Sequence, residues 1–274
     1  MNKKVQLFGA LIDVIRMPQA VETLMEWIQA GANGRCHYVV TPNVDHTRLL
    51  HESAAFRDAY AVADMTLADG MPVVWASRLL GKPLPERVTG ADLVPALFSA
   101  ADESRPLRVF LLGALPDVAD RAAAKIMARW PHVYVSGTYS PPFGFEKDPA
   151  QNDDILNRIA ASKCDVVVIG LGAPKQELWV HAHRDRIEAR VALCVGATID
   201  FLAGEVPRAP IWMQSLGLEW CYRLASEPRR LFRRYAQDAL LFPQLVWSEF
   251  TRRQPQIGEA GAGAAAAPNR STGR

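Results

Sequence analysis

Cys164-Asp-Val-Val-Val-Ile-Gly-Leu-Gly-Ala-Pro-Lys-Gln176 is the stretch that decides the fold of this 274-residue chain. Its apolar run, Val166-Val-Val-Ile169, is typical of a strand buried in a parallel sheet. The turn Gly172-Ala-Pro174 then opens a helix. A strand that passes through a tight turn into a helix is the repeating unit of α/β folds.

The same alternation continues in both directions along the chain. Further strands are predicted at residues 5–8, 37–40, 65–68, 107–112, 132–135 and 191–195. Helices are predicted at residues 18–29, 53–63, 70–80, 91–101, 117–130 and 154–161. We therefore predict an α/β fold with a doubly wound, mostly parallel, Rossmann-like sheet and helices on both faces.

The sequence changes character after Gly204. Residues 1–204 are predicted to form the catalytic domain and residues 205–253 a C-terminal helical appendage. Residues 254–274, mostly Gly, Ala, Pro and polar residues, are predicted to be a disordered tail. One helix is predicted at 211–225, and Pro228 begins another that carries arginines beside Leu and Phe residues. That composition fits a helix on anionic lipid headgroups, or one packed on the core with solvated arginines.

Composition narrows the class of protein. The net charge of +2 argues against a nucleic-acid-binding protein. The four cysteines are dispersed without a CxxC pair, as expected in a reducing compartment. Residues 1–15 lack a signal-peptide pattern, and no apolar stretch of the sequence is long enough to cross a bilayer. We predict a cytoplasmic protein with membrane contact at its surface at most.

Polar residues follow most of the apolar runs, where parallel strands are predicted to end. They are Thr41-Pro-Asn43, Asp69-Gly70, Glu86-Arg87 and Gly172-Ala-Pro-Lys-Gln176. Ligands of open α/β sheets bind at the carboxyl ends of the strands, so this set predicts an active site. Simpler explanations stay open. Asp69 and Asn43 are both suited to N-cap a following helix. Arg87 is suited to form an ion pair with Glu86 or with another neighbour.

Taken in order, these segments resemble the WecG/TagA/CpsF family of bacterial glycosyltransferases, glycosyltransferase family 26. The matching segments include Thr41-Pro-Asn43, Ala68-Asp-Gly-Met71, Leu84-Pro-Glu-Arg-Val-Thr-Gly90, Gly170-Leu-Gly-Ala-Pro-Lys-Gln-Glu177 and Leu218-Glu-Trp220. The resemblance implies transfer of an N-acetylmannosamine-type or glucose-type sugar from a UDP-sugar. It implies a polyprenyl-diphosphate-linked acceptor at the inner membrane surface, in the synthesis of surface polysaccharide or teichoic acid.

The resemblance also places active-site residues on this sequence. Asp69 falls at the position of the family's proposed general base, which would take the acceptor hydroxyl proton during an inverting transfer. A carboxylate at a helix N-terminus is expected to have a lowered pKa, which weakens it as a base. Thr41 and Asn43 match active-site positions suited to holding the donor diphosphate or orienting the nucleophile. Arg87 is suited to the diphosphate charge that builds as UDP departs.

Further residues are assigned to substrate binding. Gly172 and Gln176 lie where a helix N-terminus suits a phosphate or sugar hydroxyl. Asp200 is a candidate for binding uridine, and a plain turn is the alternative explanation. Residues 140–144 are a candidate for binding the donor, and a rigid surface turn is the alternative explanation. The resemblance implies that appendage arginines enter the active site, namely Arg223, Arg230 and Arg233. Truncation after about residue 205 is therefore expected to leave a folded but nearly inactive protein.

No cofactor is predicted. The sequence has no Asp-x-Asp triplet, and His181 and His183 lack supporting ligands, so we expect metal-independent catalysis. An NAD-dependent Rossmann oxidoreductase is the main alternative enzyme, although no G-x-G-x-x-G follows the first strand. A non-catalytic, membrane-associated nucleotide-binding protein is the other alternative. Homo-oligomerisation stays open.

Overall fold

The computed structural model describes residues 3–30 and 35–251, apart from the side chains of Ser215 and Arg230. Within these residues, eight strands form one two-stranded and one six-stranded sheet. They are β1 Lys4–Leu7, β2 Ala10–Asp13, β3 His37–Val40, β4 Met65–Thr66, β5 Leu107–Gly113, β6 Val133–Tyr139, β7 Val166–Gly170 and β8 Val191–Cys194.

Helices connect and cover these strands. The first six are α1 Met17–Gln29, α2 Val44–Glu52, α3 Ala54–Ala61, α4 Met71–Leu79, α5 Gly90–Ser99 and α6 Pro116–Arg129. The others in the described part of the chain are α7 Pro149–Ser162, α8 Lys175–His183, α9 Thr198–Ala203, α10 Ile211–Ser215, α11 Glu219–Ser226 and α12 Pro228–Thr251. A 3-10 turn at Phe145–Lys147 precedes α7.

The larger sheet confirms the predicted Rossmann-like architecture. Its strand order is β4-β3-β8-β7-β5-β6, and all neighbouring pairs are parallel. The carboxyl ends of β3, β4, β7 and β8 therefore open on the same edge, where the predicted site residues follow. The short hairpin of β1 and β2 lies beside β4, because the Asp13 carboxylate accepts the backbone N–H of Thr66 at 2.9 Å.

Alternating residues of each strand pack into two hydrophobic clusters, one on each face of the sheet. Val166 and Val168 belong to one cluster, with side chains of α1, α5, α6 and α9. Val167 and Ile169 belong to the other, with side chains of α3, α7 and α8. A strand buried on both faces reads as a continuous apolar run, which explains the signal in the sequence.

Several sequence predictions about elements need correction, and strand β2 and helix α9 were not predicted at all. Helix α2 was not predicted as an element, although Asn43 was considered as its cap. Strand β4 has two residues rather than four. The helix predicted at 211–225 is broken into α10 and α11 by Gly217, which has φ +72°. A Cβ at Gly217 would lie 2.5 Å from Cβ of Met71, so glycine permits the appendage to approach α4 closely.

The appendage packs on the hairpin and on α2. Leu245 of α12 joins a third cluster with Leu7, Phe8 and Val74, and it is 8% exposed. Arg48 of α2 bonds to Asp238 of α12 at 3.4 Å. The division at residue 204 stays a prediction, and the tail predicted at 254–274 lies outside the described residues.

Candidate active site

Asp69 lies where the ends of β3 and β4 meet. Its backbone N–H donates to the carbonyl of Pro42 at 2.8 Å, one step beyond the last ladder bond from Leu67 to Val40. Gly70, and not Asp69, N-caps α4, and no side chain caps that helix. The simpler explanation of Asp69 as a helix cap is therefore wrong, and its carboxylate is left for another role.

The environment of Asp69 raises the pKa of its carboxyl group to about 6. Burial is the largest cause, because it penalises the charged form, and Glu219 adds to the increase. Arg87, His46 and Arg223 act in the opposite direction. The expectation of a lowered pKa at a helix N-terminus is wrong here, because burial outweighs the nearby positive charges that lower the pKa. As a whole residue, Asp69 is partly exposed.

Thr41 and Asn43 extend from the end of β3. The Thr41 hydroxyl donates to the carbonyl of Cys194 at 3.3 Å, which joins the ends of β3 and β8. Asn43 N-caps α2: its Oδ1 accepts the backbone N–H of His46 at 3.2 Å. The capping explanation is thus confirmed for Asn43, and a direct role in substrate binding stays a prediction.

Arg87 belongs to an ion network that ties the appendage to the sheet. The backbone N–H of Val88 donates to Ala68 at 2.9 Å, which places Arg87 beside the end of β4. The Arg87 guanidinium bonds to Glu219 of α11 at 2.9 Å and to Asp92 of α5 at 3.5 Å. The ion-pair explanation is confirmed with these partners. The other partner considered, Glu86, accepts instead from the backbone of Met17.

Arg208 completes this network, and sequence reasoning missed it. Its guanidinium bonds to Asp92 at 2.6 Å and approaches Glu219 at 3.6 Å. The two arginines and two carboxylates alternate in this network. An anion that binds there would therefore meet two guanidinium groups. The short segment between Gly204 and α10 gave no periodic pattern that would have singled out Arg208.

Gln176 is buried rather than exposed at the start of α8. It is 2% exposed, its Oε1 accepts the backbone N–H of Gly196 at 3.2 Å, and its Nε2 donates to Glu177 at 2.8 Å. Gly172 has φ +77°, and its carbonyl accepts the backbone N–H of Gln176 at 3.0 Å. The turn is therefore well defined, and both substrate-binding roles stay predictions.

Two further residues of this region, His46 and Glu177, were not predicted. The imidazole Nε2 of His46 lies 3.3 Å from Oε1 of Glu177, which is fully buried. Both carried a signal in the sequence. His46 is three residues after Asn43, in the first turn of the helix that Asn43 caps, and Glu177 directly follows Gln176 in the resembling segment.

The remaining predicted substrate residues lie in different places. Arg223 of α11 acts electrostatically on Asp69, and its guanidinium lies 5.7 Å from the ring of Phe201. Arg233 of α12 is exposed, and the side chain of Arg230 lies outside the described residues. Asp200 is in the first turn of α9, directly beyond β8. Of the three appendage arginines, Arg223 is the one whose described contacts place it near Asp69.

The loop at residues 140–144 follows β6 on the same edge of the sheet. Ser140 donates to the carbonyl of Gly113 at 3.2 Å, and the ring of Phe143 is fully exposed. Nζ of Lys175, the first residue of α8, lies 5.1 Å from the centre of that ring. The loop is thus anchored next to the turn after β7, and its donor-side role stays a prediction.

Residues 3–30 and 35–251 contain no cluster of three or more His, Cys, Asp or Glu side chains placed to hold a metal ion. In that same part of the chain, each helix is too short or too polar to span a bilayer.

A Rossmann-like sheet with a carboxyl group and arginines at its carboxyl edge is compatible with a group-transfer enzyme, and sequence similarity identifies the family. The sequence matches the model of the Glycosyl transferase WecG/TagA/CpsF family over residues 5–256, and the chain belongs to that family. It is 34% identical, over 70% of this chain and 72% of the relative, to the N-acetylglucosaminyldiphosphoundecaprenol N-acetyl-beta-D-mannosaminyltransferase of Bacillus spizizenii.

A Staphylococcus aureus protein of the same name is 29% identical over 84% of this chain and 87% of the relative. The family assignment makes the chain a glycosyltransferase. The resemblance seen in the sequence is confirmed.

Proposed function

We propose that the chain transfers an N-acetylmannosamine-type sugar from a UDP-sugar to a polyprenyl-diphosphate-linked saccharide, with inversion. A glucose-type donor is the alternative within the same chemistry. The observation that carries the proposal is Asp69, a largely buried carboxyl group at the strand ends with arginines acting on it. The names of the relatives support the sugar and an acceptor that carries N-acetylglucosamine on a polyprenyl diphosphate.

Asp69 acts as the general base in this proposal. In an inverting transfer, the acceptor hydroxyl attacks the anomeric carbon and loses its proton as the bond to UDP breaks. A base is most effective when its pKa lies near the working pH, and a pKa of about 6 meets that condition better than an ordinary aspartate. The carboxylate is still mostly ionised at neutral pH.

Arg87 and Arg223 stabilise the departing UDP. Negative charge grows on the diphosphate as the glycosidic bond breaks, and fixed guanidinium groups in a partly desolvated site favour that charge. The Arg87 guanidinium donates to Glu219 at 2.9 Å, on the side chain that the diphosphate would bind. The diphosphate must therefore share or replace this carboxylate, which makes the junction between α11 and the sheet sensitive to substrate.

Charge neutralisation by arginines makes the proposed catalysis metal-independent. Guanidinium groups bind diphosphate oxygens in a bidentate manner and can replace a bridging cation. Full activity in EDTA is the expected result. Activity lost in EDTA and restored by magnesium would contradict this part of the proposal.

The appendage carries the proposed membrane contact. Trp212, Phe232 and Trp247 are 59%, 66% and 68% exposed, and Arg229 and Arg233 are exposed on α12. Aromatic and basic side chains on one surface suit the anionic interface of a membrane, where the polyprenyl acceptor is anchored. The proposed location is the inner face of the plasma membrane, with the bulk of the protein in the cytoplasm.

Transfer from UDP-N-acetylmannosamine and UDP-glucose to a short-chain prenyl-diphosphate N-acetylglucosamine tests the function. We expect one donor to give a β-linked product, and Asp69→Asn to lower kcat about 100- to 10,000-fold while UDP still binds. A folded Asp69→Asn variant with unchanged turnover would refute the base. Binding of NAD rather than UDP would favour an NAD-dependent oxidoreductase. Binding of UDP without transfer of the sugar to the acceptor or to water would favour a non-catalytic nucleotide-binding protein.

A further inference from the structure

His46 lies behind the candidate site, buried between α2, α3 and α8. It is 7% exposed, and the ring of Phe56 lies 5.8 Å from its own. Each ring nitrogen faces one oxygen: Nδ1 is 2.7 Å from Oδ1 of Asn43, and Nε2 is 3.3 Å from Oε1 of Glu177. The imidazole therefore bridges the loop after β3 and the helix after β7.

Both oxygens that face His46 are acceptors. Oδ1 of Asn43 is identified as the oxygen because it also accepts the backbone N–H of His46 in the helix cap. A neutral imidazole donates one hydrogen bond, whereas an imidazolium donates two. The backbone N–H of Asn43 also approaches Nδ1, at 3.4 Å. If Nδ1 carried no proton, however, its lone pair would face the lone pairs of Oδ1 at 2.7 Å, and the two acceptors would repel each other.

Glu177 supplies the countercharge. It is fully buried, and its Oε1 also accepts from Nε2 of Gln176 at 2.8 Å. Its Oε2 has no hydrogen-bond partner within the described residues. A buried carboxylate is costly unless a cation is close, and His46 is in direct contact with it.

We propose that His46 and Glu177 form a buried imidazolium–carboxylate pair that positions the amide of Asn43 in the substrate site. Oδ1 of Asn43 is used by the helix cap and by His46, so the NH2 group is the part left to face a ligand. That group donates hydrogen bonds, which suits a diphosphate or sugar oxygen. This inference rests on the proposed function, and His46 is a positioning residue within it.

The charges around His46 support an imidazolium. Burial is the largest single influence and lowers its pKa, but the hydrogen bond to Glu177 and the surrounding negative charges, Glu177 first, together raise the pKa above the ordinary value. Asp45 on α2 and Asp69 beyond β4 act in the same direction. The Tyr60 hydroxyl of α3 is un-ionised, because burial keeps its pKa well above the usual range. In return, the charge on His46 lowers the pKa of Asp69.

Nitrogen-15 NMR of the His46 side chain tests the protonation state without any substrate. The signal is assigned by its loss in His46→Gln. At about pH 6.5, the ordinary imidazole pKa, most of the rings should show imidazolium shifts at both nitrogens. In Glu177→Gln, which removes the charge but keeps the shape, the ring should be neutral. A neutral His46 in the wild-type protein at that pH would overturn the proposal.

Kinetics test the positioning role. We expect Glu177→Gln and His46→Gln each to lower kcat/KM about 10- to 100-fold, because Asn43 loses its fixed orientation. The acid limb of the pH profile should move to higher pH, since loss of the cation raises the pKa of Asp69. His51→Gln, at the exposed end of the same helix, is the matched control and should change neither quantity.

Asn43→Asp separates positioning from simple capping. The new carboxylate keeps both the cap and the bond to His46, but it has no NH2 group, so kcat/KM should fall while the imidazolium signal stays. Folded Glu177→Gln with wild-type kinetics, or active Asn43→Asp, would refute the role of the pair. If Glu177→Gln does not fold, the wild-type spectrum and Asn43→Asp still decide. A wild-type protein without transferase activity would instead refute the proposed function.

Discussion

The sheet edge and the C-terminal helices hold their functional side chains in different ways. At the sheet edge, Thr41 and Gln176 are buried and hydrogen-bonded to backbone groups of neighbouring strand ends. On α10–α12, large apolar side chains such as Trp212 and Trp247 are exposed. Ion pairs join these helices to the rest of the molecule, among them Arg87 with Glu219 and Arg48 with Asp238.

The two regions therefore suit different tasks: the sheet edge fixes the positions of atoms, and the junction with the C-terminal helices supplies charge. Backbone hydrogen bonds at strand ends fix atoms closely, which suits the base and the groups that orient the acceptor. Ion pairs at a partly exposed junction exchange partners more easily, which suits arginines that must accept a diphosphate and release UDP. We therefore expect substitutions at the junction to reduce catalysis strongly. Substitutions where α12 is buried should lower the stability of the protein, and substitutions on the exposed face should weaken membrane binding slightly.

The largest effect is expected at the junction. Arg87→Ala removes a guanidinium that opposes the charge of the leaving diphosphate, and Glu219 loses its partner at 2.9 Å and keeps only Arg208 at 3.6 Å. We expect kcat to fall about 100- to 1,000-fold in steady-state transfer assays. Arg229→Ala, on the exposed start of α12, is the control and should retain turnover. Equal losses in both variants would erase the distinction between junction and surface.

Burial of α12 predicts a loss of stability. Leu245→Ala leaves a cavity among Leu7, Phe8 and Val74, and the free energy of unfolding should fall by about 2–4 kcal/mol. Leu240→Ala, at a site that is 72% exposed on the same helix, should change it little. Urea denaturation of both variants measures the difference. Similar values would mean that α12 is not part of the folded core. It also follows that truncation near residue 205 tests more than catalysis, because it removes Leu245.

Asp69→Asn should stabilise the protein at neutral pH. The folded-state pKa of about 6 lies above the ordinary value, so the ionised carboxylate costs stability above pH 6, and this cost disappears below about pH 4. We expect the variant to be more stable by about 1–3 kcal/mol at pH 8 and to match the wild type at pH 4. Thermal unfolding at both pH values measures this. A destabilised variant at pH 8 would indicate that Asp69 is well paired rather than desolvated.

The smallest effect is expected at the exposed face. A basic residue near an anionic membrane contributes about 1 kcal/mol, so Arg233→Glu should weaken binding to phosphatidylglycerol vesicles about fivefold or more. Arg129→Glu on the exposed side of α6 is the charge-matched control and should have less effect. Sedimentation with anionic and zwitterionic vesicles measures both. Equal weakening would show that overall charge, rather than α12, governs the attraction.

Much of the sheet was predictable because its strands are buried on both faces and read as apolar runs. Val166–Gly170 and Val191–Cys194 are clear examples. Strand β4 was overestimated, because the ladder ends at Thr66 while the apolar pattern continues to Ala68. Helix α2 has few apolar residues and follows directly from a polar loop, so it gave no periodic signal.

The sequence predicted the site residues that belong to ordered motifs. It did not predict the ion pairs that form between segments far apart in the chain. Asp69, Thr41 and Asn43 come together because consecutive strand ends are neighbours in the sheet. The pairing of Arg87 with Glu219 joins segments 132 residues apart, and no local pattern indicates it. The direction of the pKa shift of Asp69 also depends on burial, which a helix-terminus argument omits.

The pH dependence of kcat/KM tests Asp69 most directly. Transfer to the short-chain acceptor should rise with pH through a single acid limb whose midpoint is about 6, because the base must be ionised. The limb should be absent from the residual activity of Asp69→Asn. A midpoint at or below the ordinary aspartate value of about 3.9, or an unchanged limb in the variant, would contradict a desolvated Asp69 acting as the base.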